Sequence, residues 1–281
     1  MIREILTAGL SDQGKVRSTN EDRCYFRVVH SSDESPTGLF IVADGLGGHL
    51  AGEVASLWTV ETFKREMAEI FRPLDPLATQ QVRPQDLWNP TDPSATRAQA
   101  KDTNLVLLIK YATQRANEVL LNYARQKPGQ ARGLSSTMVV AVIRDGLATV
   151  ANLGDSRAYL WRLGQLYQLT TDHSLSGELV ARGQLSPEMI AVHPNRNLLH
   201  RCLGCSILVE PDIPCPVALE PGDRLLLCSD GLWGMVTPAQ QIRDLLGQES
   251  SVRTVCQNLV QAANDAGGDD NVTAVTIQVT D

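Results

Sequence analysis

Short strand-like segments follow one another closely through the middle of the sequence, and this spacing constrains the fold more than any other feature. The four segments occupy residues 136–143, 147–152, 157–161 and 166–169. The connections Arg144-Asp145-Gly146 and Leu163-Gly164 have the composition of tight hairpin turns. Strands joined by such short turns pair antiparallel, whereas a parallel pair needs a long crossover. We therefore predict antiparallel sheets in an α+β protein.

Helical patterns flank these strands. Apolar residues at helical spacing predict one helix around residues 54–70 and a second from about Asn104 to Gln126. Between them, residues 72–103 carry five prolines among polar residues, and we expect a loop insertion there. A mainly helical polar stretch follows over residues 171–203, with two further helices near residues 238–265. This distribution predicts helices that cover the faces of the sheets.

Composition and charge exclude several classes of protein. The 281 residues are 43% apolar and 20% charged, which is typical of a packed globular protein and not of a disordered or fibrous one. The net charge of −7 without a basic cluster argues against nucleic-acid binding. The longest apolar run, Met138–Ile143, is far shorter than the ~18 residues of a membrane-spanning helix. We expect a cytoplasmic protein that binds neither nucleic acid nor membrane.

The six cysteines do not form a recognisable reactive motif. They are Cys24, Cys202, Cys205, Cys215, Cys228 and Cys256, and none is followed six residues later by the arginine of a thiolate phosphatase. Cys202 and Cys205 have the spacing of a metal or redox pair, but a zinc site needs a second pair or nearby histidines as well, and a redox pair usually opens a helix after a strand. We predict ordinary thiols, because free cysteine packs as a small hydrophobic residue.

Aspartates stand at or near the ends of five strand-like segments. They are Asp22, Asp44, Asp155, Asp230 and the pair Asp269-Asp270. Each one alone is explained by a turn or a helix cap, for which aspartate is a preferred residue. If the strand ends converge, carboxylates about 4 Å apart repel by roughly 4 kcal/mol at an effective dielectric of 20, and cations would stabilise them. Oxygen donors without histidine suit Mg²⁺ or Mn²⁺ better than Zn²⁺.

Arg17 is a candidate phosphate ligand. It lies five residues before Asp22 in a short polar segment. A guanidinium group matches phosphate oxygens in a bidentate manner. A surface salt bridge to one of the many acidic residues explains Arg17 equally well. Beside a carboxylate metal centre, the phosphate-binding role is favoured.

Six short stretches occur in a fixed order over about residues 5–279. They are Ser11–Asp22, Ala43–Glu53, Gly133–Thr137, Asn152–Tyr159, Cys228–Trp233 and Gly268–Thr273. Together they resemble the metal-dependent protein phosphatases of type 2C, the PPM family, and most closely its compact bacterial serine/threonine members. The resemblance implies a four-layer αββα sandwich, in which two antiparallel β-sheets are flanked by helices. It also implies one catalytic domain over residues 1–281, because the implied ligands extend from Asp22 to Asp270.

Five residues match the metal-binding positions of the family. The resemblance implies that Asp44 bridges two Mg²⁺ or Mn²⁺ ions and that the Gly45 carbonyl binds one of them. Asp230 and Asp270 would bind the other ion. Asp155 would hold a weaker third ion together with Asp230.

Four more residues match positions around the metals. The resemblance implies that Glu21 and Asp22 hold metal-bound waters in the outer shell. Asn271 would orient its neighbour, and Arg17 would clamp the phosphate of the substrate. Residues 172–204 resemble the flap of bacterial members, which would border the active site.

Two positions depart from the family pattern. Some members carry histidine directly after Asp-Gly as a candidate acid for the leaving group. Here Leu46 stands at that position and His49 lies three residues later, so we assign no general acid. Asp269 precedes Asp270, and the ligand position directly before Asn271 selects Asp270.

The resemblance implies a metal-dependent phosphatase that hydrolyses phosphoserine and phosphothreonine in proteins by direct attack of a metal-bridging hydroxide. Its partners would be phosphorylated signalling proteins, and we expect a monomer. A phosphatase of a small phosphorylated metabolite is an alternative, and so is a catalytically inactive binding module of the same fold. The sequence argues against the inactive module, because no proposed ligand position is lost.

Overall fold

The computed structural model describes residues 2–30, 35–47, 51–71, 97–131 and 133–281, with the backbone alone over 97–103. The strands are β1 Glu4–Asp12, β2 Asp22–Val29, β3 Thr37–Leu46, β4 Ser135–Ser136, β5 Met138–Arg144, β6 Leu147–Leu153, β7 Arg157–Arg162, β8 Gln165–Gln168, β9 Val217–Ala218, β10 Arg224–Cys228 and β11 Val272–Thr280. The helices are α1 Ala51–Glu66, α2 Arg97–Gln126, α3 Leu175–Ala181, α4 Asp230–Trp233, α5 Ala239–Leu246 and α6 Val252–Asp265, with 3₁₀ turns at Ala68–Phe71 and Pro187–Met189. None of these helices has both the length and the hydrophobicity needed to cross a membrane.

The strands form two antiparallel sheets. The first has the order β1-β11-β10-β7-β8, and the second has the order β2-β3-β5-β6-β9 with β4 paired to β3. The predicted hairpins β5–β6 and β7–β8 are both present. Their turns place Asp145, Gly146, Leu163 and Gly164 at positive φ, which matches the twist of the flanking strands. The antiparallel prediction is confirmed.

Three hydrophobic cores separate four layers. The first core joins Ile41 of β3 to α1 and α2, and the second joins Phe40 of the same strand to Leu227 of β10. Successive residues of a strand point to opposite faces, so β3 serves both cores. The third core joins Leu226 of β10 to α5 and α6. The four-layer αββα sandwich is therefore confirmed.

Two predictions of secondary structure differ from the structure. Helix α2 begins at Arg97 and not near Asn104, because good helix-forming residues continue toward the N-terminus without proline after Pro93. The last residues of the predicted insertion 72–103 are thus helical, and residues 72–96 lie outside the described residues. The stretch 171–203 contains only α3 and one 3₁₀ turn, since its polar residues bond locally in turns.

The cysteines divide into two groups. Cys202 and Cys205 form a disulfide, so the prediction of ordinary thiols is wrong for this pair. The tight turn between them brings their Cα atoms to 5.7 Å, within the usual range for a disulfide. The other four are free thiols, and burial raises the pKa of Cys24 and of Cys256 to about 11. These two thiols stay protonated and are poor nucleophiles.

Candidate active site

Five acidic residues from distant parts of the chain line one cavity of about 130 Å³. They are Glu21, Asp44, Asp155, Asp230 and Asp270. Asp44 lies near the end of β3, Asp155 follows β6, Asp230 follows β10, and Asp270 precedes β11. The antiparallel pairing brings these strand ends to the same end of the sandwich. The cavity thus joins both halves of the chain.

Hydrogen bonds from both sides fix the backbone of Asp44. Its N–H donates to Thr137 Oγ1 at 3.0 Å, and its carbonyl accepts from Thr137 N–H at 2.8 Å and Ser136 Oγ at 3.0 Å. Ser136 and Thr137 lie at the junction of β4 and β5 and are fully buried. Their short polar side chains, just before an apolar strand, are the signal in the sequence that could have predicted this support.

The backbone at Gly45 packs too closely for any side chain. A Cβ atom there would lie 1.8 Å from the carbonyl oxygen of Gly52 in α1 and 2.8 Å from that of Glu21. The Gly45 N–H also donates to Glu21 O at 3.2 Å. Glycine is therefore required at this position. The close contact holds the start of α1 and the acidic residue Glu21 against the strand that carries Asp44.

Arg17 contacts one of the predicted metal ligands. Its Nη2 donates to Asp270 Oδ2 at 2.7 Å, and the side chains are 48% and 28% exposed. Asn271 N–H donates to the other oxygen, Asp270 Oδ1, at 2.8 Å. The Asn271 side chain donates to the carbonyls of Gln13 and Thr19 at 2.9 and 2.8 Å, so it holds the segment that carries Arg17. The guanidinium group lies at the cavity, next to an acidic oxygen.

Asp22 lies behind the cavity and does not line it. It is 2% exposed and pairs with Asp44 in the β2–β3 register. Ser229 Oγ donates to Asp22 Oδ2 at 2.6 Å and accepts from Thr273 N–H at 3.0 Å. Asp22 therefore links the two sheets directly behind the acidic cluster.

Asp269 is exposed and does not line the cavity, whereas Asp270 does.

An aromatic and a basic residue support Asp155. Trp233 Nε1 donates to the Asp155 carbonyl at 2.9 Å. The Arg157 guanidinium carbon lies 3.5 Å from the centre of the Trp233 ring. Arg157 also forms a buried bidentate ion pair with Asp172, with N–O distances of 2.9 and 2.6 Å. An arginine inside a buried strand is the signal in the sequence that could have predicted this network.

Burial and mutual repulsion raise the pKa values of the acidic residues in the cavity. Burial raises the pKa of Asp44 well above its ordinary value, and the negative charge of Asp22 raises it further. Burial, followed by the charge of Asp270, raises the pKa of Asp230 to about 6. Burial likewise raises the pKa of Asp155 well above its ordinary value, and the charge of Asp230 adds to this effect. Bound cations would favour the ionised carboxylates and would offset the free-energy cost of burying their negative charges close together.

The chemistry of the donors fits hard divalent cations. Among the described residues, no three histidine, cysteine or acidic side chains are arranged to hold one metal ion. Metal binding would therefore also use backbone and water oxygens, and the Gly45 backbone lines the cavity. Oxygen donors of this kind suit Mg²⁺ and Mn²⁺, which commonly keep bound waters. The residues present thus fit an oxygen-ligated pair of ions.

The predicted flap region borders the cavity. Asn197 and Leu199, both within residues 172–204, line it, and Leu199 forms an isolated β-bridge with Ser174. Leu46 also lines the cavity. His49 lies outside the described residues.

Comparisons with known proteins agree in family and fold. A family model described as protein phosphatase 2C matches residues 14–272. A serine/threonine phosphatase stp of Listeria welshimeri is 33% identical over 268 residues, which cover 95% of this chain and 93% of the relative. The solved structure of serine/threonine phosphatase Stp1 from Staphylococcus aureus has a TM-score of 0.78 at 29% identity. The match covers 100% of this chain and 96% of the Stp1 chain. The catalytic domain of phosphatase PstP, solved in complex with two manganese ions, has a TM-score of 0.74 at 28% identity and 99% coverage of both chains.

Proposed function

This chain belongs to the protein phosphatase 2C family and is a protein serine/threonine phosphatase, and we propose that it works with two divalent cations held at the acidic cavity. The observation that carries the proposal is the arrangement of Asp44, Asp230 and Asp270 on one cavity beside Arg17. A related catalytic domain binds two manganese ions, which supports Mn²⁺ as a cofactor here, with Mg²⁺ as the second candidate.

The residues of the chain have separate roles in this mechanism. Asp44 would contact both ions, the Gly45 carbonyl would contact one, and Asp230 with Asp270 would hold the other. When bound, the ions lower the pKa of a shared water so that it can attack phosphorus, and they neutralise the phosphoryl oxygens. Asp155 and Asp230 would hold a weaker third ion.

Arg17 would bind the remaining phosphate oxygens. Its bond to Asp270 shows that the guanidinium group reaches the cavity. With a cation at Asp270, the carboxylate charge would be shared with that cation, and the Arg17 guanidinium group would be available for bidentate pairing with phosphate. Glu21 would hold metal-bound water, and its position on the lining of the cavity supports this role.

The wider predictions follow from this activity. We propose phosphorylated signalling proteins as substrates, and we retain the cytoplasmic location and the monomeric state as predictions. The relatives are named protein phosphatases, and nothing in the comparisons supports the alternative of a small metabolite as substrate. The predicted ligands lie together on one cavity, which argues against an inactive binding module.

Hydrolysis of an aryl phosphate tests the mechanism. We expect activity with added Mn²⁺ and none in EDTA. The substitution Asp44→Asn should lower kcat/KM by more than about a hundredfold, because it removes the negative charge and replaces one of the two carboxylate oxygens with an NH₂ group that cannot bind a cation. Asp265→Asn, an exposed acidic residue at the end of α6, is the matched control and should leave activity unchanged. Full activity in EDTA or in the Asp44 variant would contradict the proposal.

A further inference from the structure

A second, larger cleft lies beside the catalytic cavity. It has a volume of about 700 Å³ and is bounded by α2 on one side and by residues 210–214 on the other. This size is in the range of ligand-binding sites. Asn197 and Leu199 line the catalytic cavity, and Arg201 lines the cleft. One short segment of chain therefore separates the two sites.

Asn152 brings an unused hydrogen-bond acceptor to this cleft. It lies in β6, is 0% exposed and lines the cleft. Its Nδ2 donates to the Thr171 carbonyl at 2.8 Å, but its Oδ1 has no hydrogen-bond partner among the described residues. A buried acceptor without a partner is unfavourable by about 1–3 kcal/mol. The oxygen thus favours a ligand that brings a hydrogen-bond donor.

The charged residues of the cleft also favour a ligand that carries hydrogen-bond donors. Lys110 pairs with Glu210 at 2.6 Å, and Arg201 pairs with Asp212 at 2.8 Å, so the charges balance. A balanced set does not attract a polyanion. The acidic side chains are the more exposed members, at 72% for Glu210 against 43% for Lys110 and at 46% for Asp212 against 35% for Arg201. Glu210 is therefore the most exposed of these four charged side chains, and its carboxylate oxygens are hydrogen-bond acceptors.

We propose that this cleft is a docking subsite for the substrate protein and receives a basic side chain that flanks the phosphorylated residue. The inference rests on the proposed function, because it requires the phosphate to lie in the neighbouring cavity. A lysine or arginine brings donors for Asn152 Oδ1 and for the Glu210 carboxylate, whereas the two Asp212 oxygens already pair with Arg201 and His173. Its aliphatic stem packs on apolar residues of the cleft such as Val106.

Paired phosphopeptides test the docking subsite. Phosphoserine peptides that carry arginine at one flanking position in turn are compared with peptides that carry alanine there, and an aryl phosphate serves as a substrate without flanks. For the native enzyme, we expect arginine to raise kcat/KM about tenfold at one or more positions, mainly through KM. Val106→Trp should fill the cleft and abolish this preference, with aryl phosphate hydrolysis unchanged. Leu107→Trp is the control, because Leu107 is exposed on α2 and does not line the cleft.

A charge variant keeps the test valid if Val106→Trp does not fold. Glu210→Gln should reduce the arginine preference, whereas Glu249→Gln, an exposed acid outside the cleft, should keep it. The docking proposal is overturned if the native enzyme ignores the flanking residue, or if both cleft variants keep the preference. It is also overturned if the cleft variants lose aryl phosphate hydrolysis to the same extent. An enzyme inactive toward every substrate with Mn²⁺ would instead contradict the proposed function itself.

Discussion

At the scale of single residues, Arg17 shows how one side chain satisfies two interpretations of the sequence. The sequence alone supports two explanations of Arg17 equally, a surface salt bridge and a phosphate clamp. The structure has the salt bridge, but the partner is Asp270, a residue of the acidic cavity. A surface salt bridge of this exposure contributes little to stability. We infer that Arg17 is important for catalysis, through its position at the cavity, more than for the stability of the fold.

Replacement of Arg17 should therefore affect catalysis more than folding. Arg17→Ala is expected to lower kcat/KM about tenfold to a hundredfold, because a charge-assisted hydrogen bond is worth about 1.5–3 kcal/mol. The melting temperature should stay close to that of the native protein. Lys15→Ala, in the same exposed turn, is the control and should keep full activity. Equal activity of the two variants would remove Arg17 from the mechanism.

At the scale of secondary structure elements, the site depends on bonds between the sheets. Ser229 follows β10 of the first sheet, and Asp22 begins β2 of the second. The hydroxyl of Ser229 donates to Asp22 and accepts from the N–H of Thr273 in β11. This contact ties three strands together directly behind the acidic cavity. Loss of this contact should lower the stability of the fold and make the residues of the cavity less ordered.

Ser229→Ala tests this contact. The variant leaves a buried carboxylate oxygen and a buried N–H without the hydroxyl, so the free energy of unfolding should fall by about 1–3 kcal/mol. Urea denaturation measures this change. Ser250→Ala, at an exposed turn before α6, should stay within about 0.5 kcal/mol of the native protein. If the two variants are equally stable, the hydrogen bond between Ser229 and Asp22 does not contribute to the free energy of unfolding.

At the scale of the whole molecule, the acidic cluster opposes folding as its carboxylates ionise. Burial raises the pKa of Asp22 to about 7 and that of Asp230 to about 6, whereas in the unfolded chain these groups titrate near pH 4. The folded state therefore binds more protons between these values, and stability decreases as the pH rises through the folded pKa. Cations that bind the ionised cluster should restore it.

Thermal denaturation at several pH values measures this effect. In EDTA, we expect the melting temperature to fall as the pH rises from about 4 to about 7, the range between the pKa values of the unfolded and the folded chain. With Mn²⁺ the fall should be smaller, and Asp44→Asn in EDTA should also show a smaller fall, because one repelling carboxylate is gone. A melting temperature in EDTA that stays constant or rises over this range would contradict the account of the cluster.

Local sequence patterns predict the sheets and helices well, because hairpin turns and apolar periodicity act over a few residues. The turns at Gly146 and Gly164 and the two-faced strand β3 are examples. The joining of Asp44, Asp155, Asp230 and Asp270 required the family resemblance, because no local pattern brings distant strand ends together. The Cys202–Cys205 disulfide and the contact between Trp233 and Asp155 depend on tertiary geometry, so the sequence alone did not predict them.

The central claim is that Asp44 and its neighbours hold a pair of divalent ions. Calorimetric titration of Mn²⁺ into the metal-free protein tests it most directly, with Asp44→Asn as the variant and Asp265→Asn as the control. The account predicts two strongly bound ions per chain in the native protein and the control, and loss of this binding in the Asp44 variant. Absence of strong binding, or the same binding in the Asp44 variant, would contradict it.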